Sequence, residues 1–508
     1  MASAIFQPVI CPQCGEREAI IFIRRSGDSE EGRDIVLCES CAAARGIMAG
    51  KGNLDINIDD LIGAALDEGP ARSPSVSCPS CGIALAVIKR EGRLGCPSCA
   101  DFFSEELAMA RGRKVKATRE GEAAFSLADL GSFSETLDSE SFPESFPLPV
   151  DSFSSGPGPE DDVVLWSSAW IYRDIEGLPF PGSPRGCASP SRSRTLPVFL
   201  GNPAWSSRSM ASLGAASRRS LAERGIVSRL YAADDEAPLL SASSSGSYAL
   251  LDEGDHIRIR SLRPGLDLLS ALGSSLVHAE SLGASLPFAL RPCIGWICSR
   301  LDDCGFGSSL SALVHIPGLV ATGMRERLFR ALMAEGFVLR GFYSTDEDSS
   351  ASVYEICAEG GQLDGGERPT PLRGLCDRLA QAATKIVGAE RRAREKLQGC
   401  GRDELLDAEG RAYGILRSCR LLEAEEAASL LSTLRLAALR GSLVGVDPRA
   451  LGSRMLALGP GSVSLASAES AEPAESELSE RSLRASLIKR ELSKADYKSE
   501  GGSLCSKA

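Results

Sequence analysis

Aromatic residues make up only 5% of this chain. No stretch of about eighteen uncharged apolar residues, the length a helical membrane span needs, occurs anywhere in it. The second absence predicts that the chain does not cross a membrane. The N-terminus, MASAIFQPVICPQC, also has no basic region followed by an apolar run, so no signal peptide is expected and the cytoplasm is the expected compartment. Scarce aromatics beside plentiful glycine, serine and alanine predict that part of the chain is loosely ordered. There is no surplus of positive charge either. A net charge of -12 argues against a protein that as a whole holds nucleic acid or an anionic membrane, since phosphates are held by clustered Lys and Arg.

What is present is a 508-residue chain, 43% hydrophobic and 24% charged, long enough for two or three folded units. Eight of its 17 cysteines stand in CxxC pairs. In a chain with no export signal these read as metal ligands rather than as a disulfide framework. Cys11, Cys14, Cys38 and Cys41 form one set, in a module over residues 1–47. Cys78, Cys81, Cys96 and Cys99 form the second, over 76–104. A CxxC knuckle puts two sulfurs on one turn, and two knuckles complete a tetrahedral zinc shell with no open position. Two structural zinc ions are therefore expected. The stretch IALAVI, the charged turn KREGR and GCPSC read as a small hairpin with a knuckle at each end. Redox-active or unligated cysteines are the competing reading. Such modules contact DNA, RNA or protein, and the run Arg111, Arg113, Lys114, Lys116 and Arg119 keeps a zinc-ribbon nucleic-acid regulator in play against a solvated helix surface.

Residues 119–162, rich in Ser, Glu, Pro and Gly, read as an acidic disordered linker. A folded region is expected over 163–465, with strands at 337–343 and 351–358 and helices at 374–397 and 423–440. A flexible tail with a short helix is expected over 466–508. The fold class is α+β, without a regular βαβ alternation.

The words CPQC, LCESCA and GRLGCPSC resemble the zinc-binding activator of bacterial protein-arginine kinase, the McsA-like family, over roughly the first hundred residues. That family continues into a helical UvrB/UvrC-like segment, which this chain lacks. From Gly158 onward, GPEDDVVL, LPFP, DHIRIRSLRPGLDLL, VHIPGL, GFVLRGFY, ERRARE, YGILRSCRLLEAEEA and LSTLRL resemble the protein-arginine kinase itself, McsB-like, a relative of the phosphagen kinases. The resemblance implies a guanido-kinase-like antiparallel sheet flanked by helices, preceded by two small zinc-ribbon modules. It implies an ancestral transfer of the ATP γ-phosphoryl group to an arginine guanidinium. Partners implied are a kinase, Clp-type protease machinery or a stress regulator, together with an intramolecular contact between the zinc modules and the kinase-like domain. Membrane and nucleic-acid partners are not expected.

Phosphoryl transfer needs cations converging on the triphosphate and carboxylates that orient the guanidinium and accept its proton. The family's Ser-Ser-Arg-x-Arg element falls on Trp166, Ser167, Ser168, Ala169 and Trp170, so both arginines are missing; a one-residue shift gives Ala169 and Ile171. In the Asn-Glu-Glu-Asp-His word, Asp252 to His256, Gly254 stands where the catalytic second glutamate belongs, while Arg258 is kept. The substrate-loop Cys-Pro-Thr-Asn falls on Arg300 to Asp303, with Cys298 and Cys304 nearby as ordinary cysteines, and another nucleotide arginine falls on Ser309. Arg340 persists, but Thr345 replaces the glutamate that follows it. Glu480 and Arg481 replace the leading Arg-Asp of the family's phosphoarginine-recognition word, of which Arg484 and Ala485 remain.

Arg258 and Arg340 are thus the residual nucleotide-binding candidates, either as an anion site or as strand anchors. ATP and Mg²⁺ binding is in doubt, and no catalytic residue is assigned. His256 and His315 are read as packing histidines. The leading expectation is a zinc-binding regulatory or adaptor protein of a stress or protein-quality-control pathway, with a pseudokinase domain. The alternative is an active ATP-dependent protein-arginine kinase that uses Glu253, Asp255, Asp346 or Glu347.

Overall fold

The computed structural model describes residues 21–23, 35–37, 76–104, 106–107, 158–184, 190–242, 246–291, 294–342, 349, 351–359, 372–399, 402–467 and 477–498. The chain divides into two units, Met1–Ser73 and Pro74–Ala508. In the first, β1 (Ile21–Ile23) pairs antiparallel with β2 (Ile35–Leu37). Cys11, Cys14, Cys38 and Cys41 lie outside the described residues, as do the Arg111–Arg119 run and most of the expected linker.

The second unit is built on eight antiparallel strands: β3 (Val164–Arg173), β4 (Ser206–Ser209), β5 (Pro238–Ala242), β6 (Ser247–Glu253), β7 (Asp255–Pro264), β10 (Ser308–His315), β11 (Val338–Gly341) and β12 (Val353–Glu359). Short β8 (Leu290–Arg291) and β9 (Gly295–Trp296) pair separately. Their spatial order is β11-β12-β10-β3-β7-β6-β5-β4, so β3 is central, between β10 and β7. Side chains alternate across a strand. Ala169 and Ile171 of β3 therefore join Ile257 and Ile259 of β7 in the main core, under the helices Leu268–Gly283 and Leu372–Gly399. The 28-residue Leu372–Gly399 helix buries Leu372, Leu375, Leu379, Ala382, Ala383 and Ile386, the stripe that an amphipathic helix turns to a sheet. Trp166, Ser168, Trp170 and Tyr172 of β3 are left for the opposite face.

A second core is formed by helices Arg402–Ser418, Ala424–Arg440, Pro448–Met455 and Glu477–Glu491. The short helix expected in the tail is Glu477–Glu491, and its burial in this core corrects the expectation that residues 477–498 are flexible. Ile488 and Leu492 are fully buried in that core. Arg484 donates to the carbonyls of Leu458 and Leu422 at 2.8 and 2.6 Å. Beyond them, β14 (Asp496–Tyr497) pairs with β13 (Leu443–Val444). The low-complexity sequence that begins the tail concealed this, because the helix gains its order from tertiary contacts rather than from its own stripe. Residues 158–162, at the end of the expected linker, are held as well. Arg435 donates to the Asp161 and Asp162 carbonyls at 2.7 and 3.0 Å, and Arg394 pairs with the Asp162 carboxylate at 3.1 Å.

Candidate metal centre and anion-binding face

Cys78, Cys81, Cys96 and Cys99 converge from two knuckles, all buried. The sulfur separations are 3.8 Å for Cys78–Cys96, 3.5 Å for Cys81–Cys99 and 3.7 Å for Cys96–Cys99. These are far longer than a disulfide, at about 2.05 Å. They match the ~3.8 Å edge of a tetrahedron with Zn–S bonds of ~2.3 Å. Without a cation three of the thiols conflict: hydrogen bonds from Cys81 and Cys99 draw Cys96 down to about 2, while the hydrogen bond to Cys96 pushes Cys81 up to about 12. A divalent ion removes that conflict by stabilising thiolates together. The donor set therefore fits zinc.

The segment between the knuckles is not the expected hairpin. Leu85–Glu91 forms a helix with Leu85 and Ile88 buried one turn apart, closed by Gly92 in the left-handed region (φ 61°), whose N–H donates to the Ile88 carbonyl. The alternation in IALAVI also carries an i, i+3 apolar pair, and the following Lys89, Arg90 and Glu91 are good helix formers. A short apolar run does not separate the two states.

This module packs on the kinase-like body. Leu94 donates to the Ser299 carbonyl at 2.7 Å, Leu301 to Gly92 at 2.9 Å and Phe180 to Gly95 at 2.8 Å. Leu94 and Phe103 share one apolar cluster with Tyr172, Phe180, Ile297 and Cys298. At the rim, Arg291 bridges Asp101 and Glu176 at 2.8 and 2.9 Å. The expected contact between zinc module and body exists for this second module, and it engages the segment aligned with the family's substrate loop.

The other face of the sheet carries the other predicted residues. Trp170 stands opposite Arg260, and Tyr172 opposite Arg258, across β3 and β7. The Arg258 guanidinium lies 4.7 Å from the Trp170 ring and 5.2 Å from Tyr172; that of Arg260 lies 5.0 Å from Trp170. Tyr172 stacks on Trp170 with centroids 6.3 Å apart. Arg260 is tied down by Ser168 Oγ at 2.7 Å, the Tyr248 hydroxyl at 3.2 Å and Glu355 at 3.9 Å. Burial holds the phenols of Tyr172 and Tyr248 above the ordinary range, so both remain neutral partners. Where the resemblance puts two phosphate arginines, the face thus holds a serine bonded to Arg260 and an indole covering both β7 arginines. Sequence reasoning passed over Arg260; its place two residues after Arg258 on a strand was the available signal.

Arg340 is exposed on edge strand β11, opposite Glu355 in register. Arg258 and Arg340 share a face, but their backbones are separated by four strand spacings, ~19 Å, across the sheet and by six residues, ~20 Å, along it. Among the alternative carboxylates, Glu253 accepts the Ser228 N–H and lies 3.9 Å from Arg258, and Asp255 accepts the Ser299 N–H at 2.7 Å. Asp346 and Glu347 lie outside the described residues. Both packing histidines are satisfied. His256 meets the Ile175 N–H and the Pro179 carbonyl at 3.0 Å each, and His315 meets Ser432 and Arg435 at 2.7 Å each. Glu480 pairs with Arg219 at 3.3 Å and Arg481 with Glu423 at 2.8 Å.

Three family models match successive parts of the chain. Residues 76–114 match the McsA central zinc-finger domain. Residues 202–360 match the ATP:guanido phosphotransferase C-terminal catalytic domain. Residues 402–502 match the C-terminal domain of protein-arginine kinase McsB. The protein-arginine kinase of Bacillus velezensis is 27% identical over 346 residues, covering 66% of this chain and 91% of its own. That of Symbiobacterium thermophilum is 28% identical over 349 residues, 66% and 95% respectively. Among solved structures, lombricine kinase aligns at 14% identity over 62% of this chain and 87% of its own, with a TM-score of 0.44. The duplicated taurocyamine kinase of Schistosoma mansoni aligns at 18% identity over 59% and 40%, also at 0.44. The chain is a fusion of a McsA-like zinc module with a McsB-like body that comprises a guanido phosphotransferase catalytic domain and a McsB-type C-terminal domain.

Proposed function

We propose that this protein is a zinc-binding regulatory or adaptor protein whose McsB-like body is a pseudokinase, acting on protein partners in a cytoplasmic stress or protein-quality-control pathway. The observation that carries the reading is the Trp170 ring spread against Arg258 and Arg260, at a position that the resemblance aligns with a phosphate arginine. Arg258 and Arg340 are the cations left to meet an anion. Each lost charged hydrogen bond to phosphate is worth roughly 1.5–3 kcal/mol. Three losses weaken Mg·ATP binding by several orders of magnitude. Gly254 and Thr345 remove the carboxylates that orient a guanidinium, for a further loss on the order of 10²–10⁴ in rate. The zinc module, fused and packed on the substrate-loop segment, acts at high effective concentration without a separate binding step. Its cysteines, with those of the first module, are the proposed ligands of two structural zinc ions.

The second reading, an active protein-arginine kinase, draws on the catalytic-domain match over 202–360 and on the retained Arg258. Incubation of zinc-replete protein with Mg·ATP and an arginine-rich unfolded substrate, worked up without acid for mass spectrometry, separates the two. The pseudokinase reading expects no phosphoarginine and no calorimetric heat from Mg·ATP. Phosphoarginine that disappears in Arg258→Ala would overturn it.

A further inference from the structure

The end of β3, the start of β7 and the segment after β9 meet beside the zinc module. There Asp174, Asp255 and Cys298 each present one oxygen or sulfur atom, all within 4.8 Å of one another. All three residues are buried, at 1%, 3% and 0% exposure. Asp174 Oδ1 accepts the backbone N–H of His256 at 2.8 Å and lies 3.1 Å from that residue's Nδ1. Its second oxygen, Oδ2, is buried with no hydrogen-bond partner. A buried acceptor left unpaired is a costly feature that a fold keeps for a reason.

Neither neighbouring base or cation answers it. The His256 ring meets the Ile175 N–H and the Pro179 carbonyl. Arg173 directs Nη1 to the carbonyls of Tyr172 and Gly307, at 2.7 and 3.1 Å, and lays its guanidinium over Trp296 at 4.1 Å. With both aspartates ionised and the thiol deprotonated, the three ligands carry three negative charges. The Arg173 guanidinium lies beside them, and a divalent cation would offset two of these charges.

We propose that Asp174, Asp255 and Cys298 form a further metal site, distinct from the four-cysteine centre, that takes a zinc-class divalent cation through two carboxylates and a thiolate. The thiolate selects zinc or cobalt over magnesium, which prefers oxygen ligands and retains water. The site thus differs chemically from a Mg·ATP site and stands whether or not the body transfers phosphate. Such an ion would fasten β3 and β7 to the 298–304 segment, whose Ser299 carbonyl the zinc module holds.

The test is metal content of the intact chain, grown and purified with zinc and counted by plasma mass spectrometry. Three zinc ions per chain are expected, with one fewer in the near-isosteric Asp174→Asn, whose fold is checked by circular dichroism. Cys298→Ala serves as the second variant and should also lose one ion. Cobalt exchanged into wild type but not into Asp174→Asn should add thiolate-to-cobalt charge-transfer intensity beyond that of the cysteine modules. An unchanged count in a folded Asp174→Asn or Cys298→Ala would overturn the proposal, as would fewer than two zinc ions in wild type whether or not a variant folds; a count of two that falls to one in the variants would instead leave the first module empty. Oδ2 would, on overturning, be a protonated carboxyl.

Discussion

Arg435 has no exposed surface, yet its guanidinium reaches the carbonyls of Asp161, Asp162 and Pro448 and the ring of His315. Removing it strands several buried acceptors at once. Arg435→Ala should cost ~3 kcal/mol or more, with Arg435→Lys recovering part, measured as the shift in urea unfolding midpoint. A second residue-scale prediction concerns His278, which burial and then Arg263 hold down at about 4 in the fold. In the unfolded chain it titrates near 6.5. Below that pH the unfolded state binds the proton and the folded state does not. His278 thus contributes stability that is present above about pH 6.5 and lost as pH falls toward 4, by up to ~1.4 kcal/mol per unit. His278→Gln should flatten that part of the stability-versus-pH curve, and an unchanged slope would count against it.

At the scale of the element, the zinc module shows how two nearby glycines differ. Gly92 closes the Leu85–Glu91 helix at φ 61°, and a Cβ there would meet nothing within 4 Å. Gly92→Ala should cost ~1–2 kcal/mol from backbone strain alone and leave zinc content unchanged. A Cβ on Gly95 would lie 2.6 Å from Cys81 Sγ and 3.0 Å from the Ile83 Cβ. Gly95→Ala should therefore displace a ligand sulfur, and competition with a chromophoric chelator should strip its metal sooner than from Gly92→Ala. The Arg291 bridge is a partly exposed ion pair. Arg291→Ala should change stability by under ~1 kcal/mol.

For the molecule as a whole, the hydrogen bonds from Leu94 to Ser299 and from Leu301 to Gly92 make the zinc centre part of the body's architecture. Chelation should raise amide exchange at Leu94, Phe180 and Leu301 while leaving the β3–β7 ladder protected; loss of protection throughout the sheet would mean that the metal supports the whole fold. Much of this was legible along the chain. The CxxC spacing is a local property, so it announced the four-cysteine cluster, and the 28-residue stripe of Leu372–Gly399 announced its helix. The residues at the words that carry the resemblance were legible because such words are contiguous. Three things were not. Whether Leu85–Glu91 would be strand or helix depended on which apolar side chains the knuckles and the body would bury. The order of Glu477–Tyr497 came from partners such as Leu422, Leu443 and Leu458, distant in sequence. Trp170 against Arg260, and Asp174 beside Asp255 and Cys298, exist only because β3, β7 and the segment after β9 pair in one register. By itself, then, the sequence determined the cysteine ligand types, the residues standing at the resembling motif words and the amphipathic stripes, which are local patterns. Tertiary structure alone decided which side chains stand against Arg258 and Arg260, because that depends on pairing between strands separated by up to about a hundred residues.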